Sequence, residues 1–332
     1  MRAIDTFESL IHKVHEMSAN HYDETIPVKD MEFESLNTAW IAGNRFTVLP
    51  SAQRLLANRL RVPYSYLSRC PGELQAENLN YWIRREAKKR DTFFCRFDGD
   101  KLRAVFTSRY TAIDNMEILS KMMESGFSPN REVHYSIDDE LLLMKVPDYS
   151  RSFEINADDR IVPGISIANS EVGILAFTIE AYFYRLVCSN GLISKTSIQS
   201  KFKHVSRKAL TQFPSLLTGI VAESTASKEQ FVISTLSPVN DPISTIQSLA
   251  KQFALTRKES QMIEEAWELD PGYTMWSIIN AFTSAAKLST LTAEQTYRLE
   301  KTGGMILSMV KHCYETGVVK SKMLCDSYSN KW

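Results

Sequence analysis

The chain has 332 residues, 44% hydrophobic and 23% charged, a balance that excludes disorder and suffices for one large domain or two ordinary ones. Lys and Arg total 39, as do Asp and Glu, so any affinity for nucleic acid must come from uneven placement of charge. The five cysteines (Cys70, Cys95, Cys188, Cys313, Cys325) lack CxxC spacing, which argues against a disulfide framework or structural zinc and fits a reducing cytoplasm.

The opening MRAIDTFESLIHKVHEM lacks the apolar core of a signal peptide, and no apolar run approaches the ~18 residues of a membrane span. A soluble, cytoplasmic protein with no membrane partner is expected. Residues 4–18 read as a short amphipathic helix, on which His12 and His15 are exposed residues rather than metal ligands, because no further ligand cluster accompanies them. In PSAQRLLANRLRVPYSYLSRC, Ser51 is a plausible N-cap, Leu55, Leu56 and Leu60 share one side, and Pro63 stops the helix. From Thr92 the period changes to two. TFFCRFDGDKLRAVFTSRY alternates around Asp98-Gly99, a strong hairpin signal.

Asp114 then caps a helix running to about Ser125, with Glu117 at the reciprocal position of a capping box. Strand-like runs follow at Val133–Ile137, Glu140–Val146, Ile161–Ala168 and Ala176–Cys188. Beyond residue 209 the pattern is helical: Asp241-Pro242 suits a helix start, and Thr256 with Glu259 and Thr292 with Gln295 spell capping boxes. Gly303-Gly304 should weaken or interrupt the last helix. The class is α+β: a mostly antiparallel sheet with an inserted helix, N-terminal helices and a helical C-terminal region. The divisions are 1–91 (helical), 92–208 (β-rich) and 209–332 (helical), which can form one continuous domain.

Charge is segregated along this layout. Leu79–Arg109 holds nine basic residues against four acids, Ala181–Ala222 six basic residues and no acid, and Arg131–Asp159 eight acids against three bases. Two basic segments flanking one β-region favour an anionic partner over a merely solvated surface. A turn at Asp98-Gly99 would pair Arg96 with Lys101 and Phe94 with Arg103. It would put Phe93, Cys95, Leu102 and Ala104 on the core face and Phe94, Arg96, Lys101 and Arg103 on the other. Such a face suits phosphate, with Phe94 as a stacking surface.

The densest stretch is IANSEVGILAFTIEAYFYRLVCSNGLI, Ile167 to Ile193. Phe177, Ile179, Ala181 and Phe183 share the expected core face; Tyr182 and Tyr184, on the other, suit cross-strand packing or base stacking. Arg185 falls in phase with the core, so it sits at the sheet's end or pairs with a buried acid such as Glu171 or Glu180. NSEVG reads as a loop, with Asn169 or Gly173 able to take positive φ, and Asn190-Gly191 reads as a turn. Ser170 or Cys188 would need a base to act as a nucleophile, and nothing fixes His204 near either. Asp138-Asp139-Glu140 is a solvated turn rather than a metal site. No phosphate-loop, GxGxxG, HExxH or paired-carboxylate motif occurs, and neither cofactor nor metal is implied.

AENLNYWI, LRAVFTSRYTAIDNMEIL, the dense stretch itself and TMWSIINAFTSAAK occur in this order. Together they resemble the domain-of-unknown-function 932 family, also described as phage/plasmid-like proteins, over about residues 50–315. The resemblance implies a home on mobile elements (phages, prophages, plasmids) and no established activity, so no catalytic residue is carried over. The hairpin, helix and further strands are also similar, as a fold, to the core of Rad52-like single-strand annealing proteins.

Three functions compete. A binding module for single-stranded DNA, an annealing or recombination factor, would use Phe94, Arg96, Lys101, Arg103, Arg109, Tyr182, Tyr184, Lys195, Lys201, Lys203, Arg207 and Lys208. A protein–protein module, for example a counter-defence factor, would use the helical C-terminal region. An enzyme of unrecognised type would centre on Asn169, Glu171, Arg185 and Asn190. Single-stranded DNA is the expected partner, and homo-oligomerisation is compatible with that reading.

Overall fold

The helix expected over residues 4–18 runs from Phe7 to Met17, and the residues before it form an edge strand. In the computed structural model, which describes residues 2–156, 159–186, 190–194, 200–202 and 227–316, β1 (Arg2–Thr6) pairs with a later strand. Thr6 ends it and caps α1 (Phe7–Met17) by accepting the Ser9 N–H. The stretch read as helical then contributes four more strands, β2 (His21–Pro27), β3 (Met31–Phe33), β4 (Thr38–Ile41) and β5 (Asn44–Val48).

α2 (Pro50–Leu60) starts two residues earlier than a Ser51 cap would place it. Pro50 takes the first helical position, and Ser51, already helical, donates its hydroxyl to the Arg103 carbonyl instead of capping. Arg61 ends the helix in a left-handed conformation (φ 57°), two residues before Pro63. Next come α3 (Tyr64–Leu67), α4 (Gly72–Glu86) and the hairpin β6 (Thr92–Asp98) and β7 (Lys101–Thr107). These two complete an N-terminal sheet of order β2-β6-β7-β5-β4-β3, antiparallel except where β5 meets β7. One face packs Phe93, Cys95, Phe97, Leu102 and Val105 against Leu56 and Leu60 of α2 and Leu79 and Ile83 of α4.

The hairpin register differs from expectation by one residue at the turn and again at a bulge. Asp98 pairs with Lys101, leaving Gly99-Asp100 as the turn, with Gly99 at φ 54°. That positive first central residue fits a type II′ turn. Phe97 pairs with Leu102 but Arg96 with Ala104, so Arg103 is an extra residue. The bulge resets the alternation, and Ala104 joins the opposite face from Leu102.

α5 (Asn115–Glu124) links the hairpin to a central sheet. Its strands are β8 (Glu132–Ile137), β9 (Leu142–Pro147), β10 (Phe153–Asn156), β11 (Asp159–Asn169), β12 (Phe177–Arg185), β13 (Asn190–Ser194) and β14 (Ser200–Phe202). Their order is β1-β8-β9-β11-β12-β13, with β10 beside β11 and β14 beside β12. Phe177, Ile179, Ala181 and Phe183 share one buried face, as the alternation predicts. Asn190 and Gly191 pair with Arg185 and Tyr184, so they begin β13 instead of forming the turn. Gly191 has a packing reason: a Cβ there would come within 2.5 Å of the Tyr182 ring.

The C-terminal helices are α6 (Lys228–Leu236), α7 (Pro242–Gln252), α8 (Arg257–Leu269), α9 (Met275–Ala285) and α10 (Ala293–Thr316). Asp241 caps α7, and both reciprocal bonds form at Thr256/Glu259 and at Thr292/Gln295. α10 continues through Gly303-Gly304. Gly303 lies close to α9, where a Cβ would be 2.7 Å from a Thr283 methyl, so close packing outweighs its low propensity. Among the described residues no helix is long and apolar enough to cross a membrane.

Candidate nucleic-acid interface

The NSEVG loop inserts between the two sheets. Gly173 turns it at φ 80°, and Val172 and Ile174 pack on Ala104, Phe106 and Phe94 of the hairpin's second face. Glu171 is thereby buried (6% exposed) against two arginines. Its Oε2 accepts from Arg103 Nη2 at 2.9 Å, its Oε1 from the Asn115 N–H at 2.8 Å, and its carbonyl from Arg96 Nη1 and the Tyr110 hydroxyl. Arg96 also binds Asp23 (2.9 Å) and Asp114. Burial alone would raise the Glu171 carboxyl pKa, but Arg103 and Arg96 hold it below its ordinary value. His21 Nδ1, 2.9 Å from Arg103 Nη1, accepts from that guanidinium; burial, then Arg103, keeps the imidazole pKa below 6.5.

Several expectations are corrected here. Arg96 and Arg103 do not face solvent: they are 3% and 4% exposed, because the motif loop covers the non-core face of the hairpin on which they lie. Phe94 is half-buried beside Tyr110. Tyr182 and Tyr184 are buried under α10, so cross-strand packing, not stacking on a base, explains them. Asp114 precedes α5 but pairs with Arg96 and makes no capping bond; Glu171 receives the Asn115 N–H instead. Lys101, paired with Asp98, and Arg109 are the exposed members of the hairpin set. Lys201 lies on β14 of the central sheet, not beside the hairpin; Lys195, Lys203, Arg207 and Lys208 lie outside the described residues.

Of the residues on which an enzyme would centre, Asn169, Glu171 and Arg185 each make structural contacts, while Asn169 Oδ1 is buried without a partner among the described residues. Asn169 donates to the Ile113 carbonyl and to Asn115 Oδ1, and Ser170 donates to the Glu140 carbonyl. Cys188 and His204 lie outside the described residues. Arg185 is paired with a buried acid, but with Asp159 instead of Glu171 or Glu180. Its Nε reaches both Asp159 oxygens at 2.7 and 2.9 Å, while Trp276 Nε1 donates to Oδ2 of the same carboxylate. Asp138 closes its own turn and accepts the Ala293 N–H at the start of α10. Among the described residues no group of His, Cys, Asp or Glu could hold a metal.

Sequence reading also missed a buried polar row. His134, Lys145, Ser166 and Glu180 are cross-strand neighbours on β8, β9, β11 and β12. α10 lays Tyr297, Glu300 and Lys301 over them: Lys145 pairs with Glu300, and Lys301 with Glu180 at 2.8 Å. Tyr297 donates to Glu180 at 2.6 Å and accepts from Lys301 at 2.6 Å. A strand position buried on both faces shows no alternation, so this layer left no periodic signal.

The surface is different at the end of α4. Helical spacing brings Tyr81 and Trp82 onto the solvent side, 52% and 37% exposed, with ring centroids 5.2 Å apart at 87°. The Arg85 guanidinium spans both, 5.7 Å from the Tyr81 ring and 5.5 Å from Trp82, and donates to the Tyr81 hydroxyl at 2.8 Å. Arg84, Lys88 and Lys89 are exposed around them, and Arg84, Arg85 and Lys88 form no ion pair within the described residues. The signal was in NYWIRREAKKR: aromatics three and four residues ahead of Arg85 on one helix, with a basic run from Arg84 onward.

The family described as Domain of unknown function (DUF932) matches residues 103–301, more than half of the chain. No curated protein and no solved structure matches, so the likeness to a Rad52-like core has no structural neighbour to rest on.

Proposed function

The chain belongs to the DUF932 family, a domain of unknown function, and from its own surface chemistry we propose that it binds single-stranded nucleic acid through the solvent face of α4. The observation that carries this is the exposed Tyr81–Trp82 pair bridged by Arg85 and flanked by the exposed cations Arg84, Lys88 and Lys89, the first two without an ion pair among the described residues. Single-strand binders combine a positive track for phosphates with aromatic rings for bases; each stack contributes about 1–3 kcal/mol. The basic run noted in the sequence thus supplies the footprint from its first half, the helix, while its hairpin arginines hold the two sheets together. A role in recombination on a mobile element is the biological setting this reading suggests.

The test is anisotropy of a labelled oligothymidylate titrated with the full chain and with Tyr81→Ala/Trp82→Ala. The wild type should bind, and the variant should lose roughly tenfold or more in affinity, as expected for one or two lost stacks. Equal affinity of the two proteins removes the reading.

A second reading, a protein–protein module, is favoured by Leu236, Leu269 and Tyr273, which are 72%, 88% and 65% exposed in the C-terminal region. Pro238 bridges to Thr274 and Trp267 meets Tyr273 edge-on, so at least Tyr273 and the end of α6 form one surface. Particle size with and without oligothymidylate separates the readings: a size change that needs the oligonucleotide supports the first.

A further inference from the structure

Behind the aromatic pair, two arginines converge on one buried ring. Arg59, in the last turn of α2, and Arg90, just past α4, place their guanidinium carbons 5.5 and 5.8 Å from the centroid of Phe93, itself 0% exposed. One carboxylate serves this neighbourhood: Glu86 (8% exposed) lies 2.5 Å from Arg90 Nε and 4.0 Å from Lys89 Nζ. Arg59 has no ion pair or hydrogen bond within the described residues, and its Nε is buried without an acceptor. Burial, then the neighbouring Arg90, disfavours its charge, and Glu86 only partly offsets them. A half-buried cation near a second cation, its Nε without an acceptor, lacks a fully compensating anion among the described residues.

We infer that Arg59 and Arg90 form the seat of a phosphate group, held in register by Glu86 and the Phe93 ring. A phosphate oxygen would accept the idle guanidinium N–H groups and relieve the repulsion between the two cations, a charge-assisted contact that water replaces poorly. Trp82 precedes Glu86 by four residues, just over one helical turn and about 6 Å of rise. The seat therefore lies next to the aromatic pair, and the phosphate it takes belongs to the strand whose bases stack there. In that respect the inference rests on the proposed single-strand reading, but its chemistry would accept a free phosphate equally.

The test uses the full chain, Arg59→Met and Tyr81→Ala/Trp82→Ala, each with oligothymidylate across a salt series and, separately, with pyrophosphate in a thermal-shift assay. Arg59→Met should keep or raise the melting temperature of the free protein, since Arg59 has no ion pair or hydrogen bond among the described residues to lose and Met can still pack on the Phe93 ring. It should weaken oligothymidylate binding and flatten the log–log salt slope by about 0.7, one single-strand phosphate contact. If the aromatic variant loses binding but Arg59→Met does not, the seat is wrong and the single-strand reading stands. If pyrophosphate stabilises the wild type and not Arg59→Met while no oligonucleotide binds, the seat is a free-phosphate site and the single-strand reading falls. A melting temperature lowered by Arg59→Met with binding unchanged makes Arg59 structural and overturns the proposal, as does absence of response to either probe.

Discussion

Arg96, Arg103 and Arg185 show how one residue's role turns on register. For Arg185 the alternation sufficed: in phase with the core, it needed a buried acid, and it has Asp159. The partner's identity was not legible, because Asp159 lies across a strand pair that local sequence does not specify. Arg185→Ala leaves Asp159 with Trp276 Nε1 as its remaining side-chain donor of this cluster. It should destabilise the fold by roughly 3–5 kcal/mol, the cost of an orphaned buried charge, read as a shift in urea midpoint at constant slope; an unchanged midpoint contradicts it. For Arg96 and Arg103 the alternation placed both off the core face, as found, but nothing in TFFCRFDGDKLRAVF shows that the distant NSEVG loop covers that face and buries them. His21 gives the junction a pH signature. Its pKa is depressed in the fold, so the unfolded chain takes up the proton first. The stability it contributes is complete above the ordinary value of 6.5 and is lost as pH falls below it. Glu171, also depressed, adds a second loss as pH falls below 4.5. His21→Asn, which keeps an acceptor for Arg103 without titrating, should reduce the slope of stability against pH just below 6.5. The same slope in the variant would rule His21 out as its source.

Helices with reciprocal caps and strands of five or more alternating residues were readable from the chain alone; short, non-local elements were not. β3 and β4 have three and four residues, and β5 finds β7 in parallel some fifty positions away, so their pairing exists only in the assembled sheet. α10 was visible from its capping box, but not what lies under it. Four charges there, Lys145, Glu300, Glu180 and Lys301, are almost fully buried as two pairs, and one Glu300 oxygen has no donor. Such pairs set register more than they add stability. Lys145→Met should thus destabilise by about 3–5 kcal/mol by leaving Glu300 unpaired, while Lys145→Met/Glu300→Leu recovers much of that loss. Chemical denaturation of both decides it: a double mutant as unstable as the single one means the pair itself supports the helix.

At the scale of the whole molecule, two sheets are pinned through Glu171, and the cations the sequence gathers are divided between two tasks. Arg96 and Arg103 of the hairpin are buried in the pin; Arg84, Arg85, Lys88 and Lys89 at the end of α4 and in the turn after it stay in water beside exposed aromatics. A neutral chain can in this way carry a local anion-binding surface, and its affinity should fall steeply with salt, because released counterions drive it. The most direct measurement is photocrosslinking of oligothymidylate to the intact protein, with the adduct mapped by peptide mass. The adduct is predicted on the peptide that carries Tyr81 and Trp82, and it should vanish when both are changed to Ala. Adducts confined to the hairpin or the C-terminal helices, or a yield that ignores the Tyr81/Trp82 change, would contradict a nucleic-acid surface on α4.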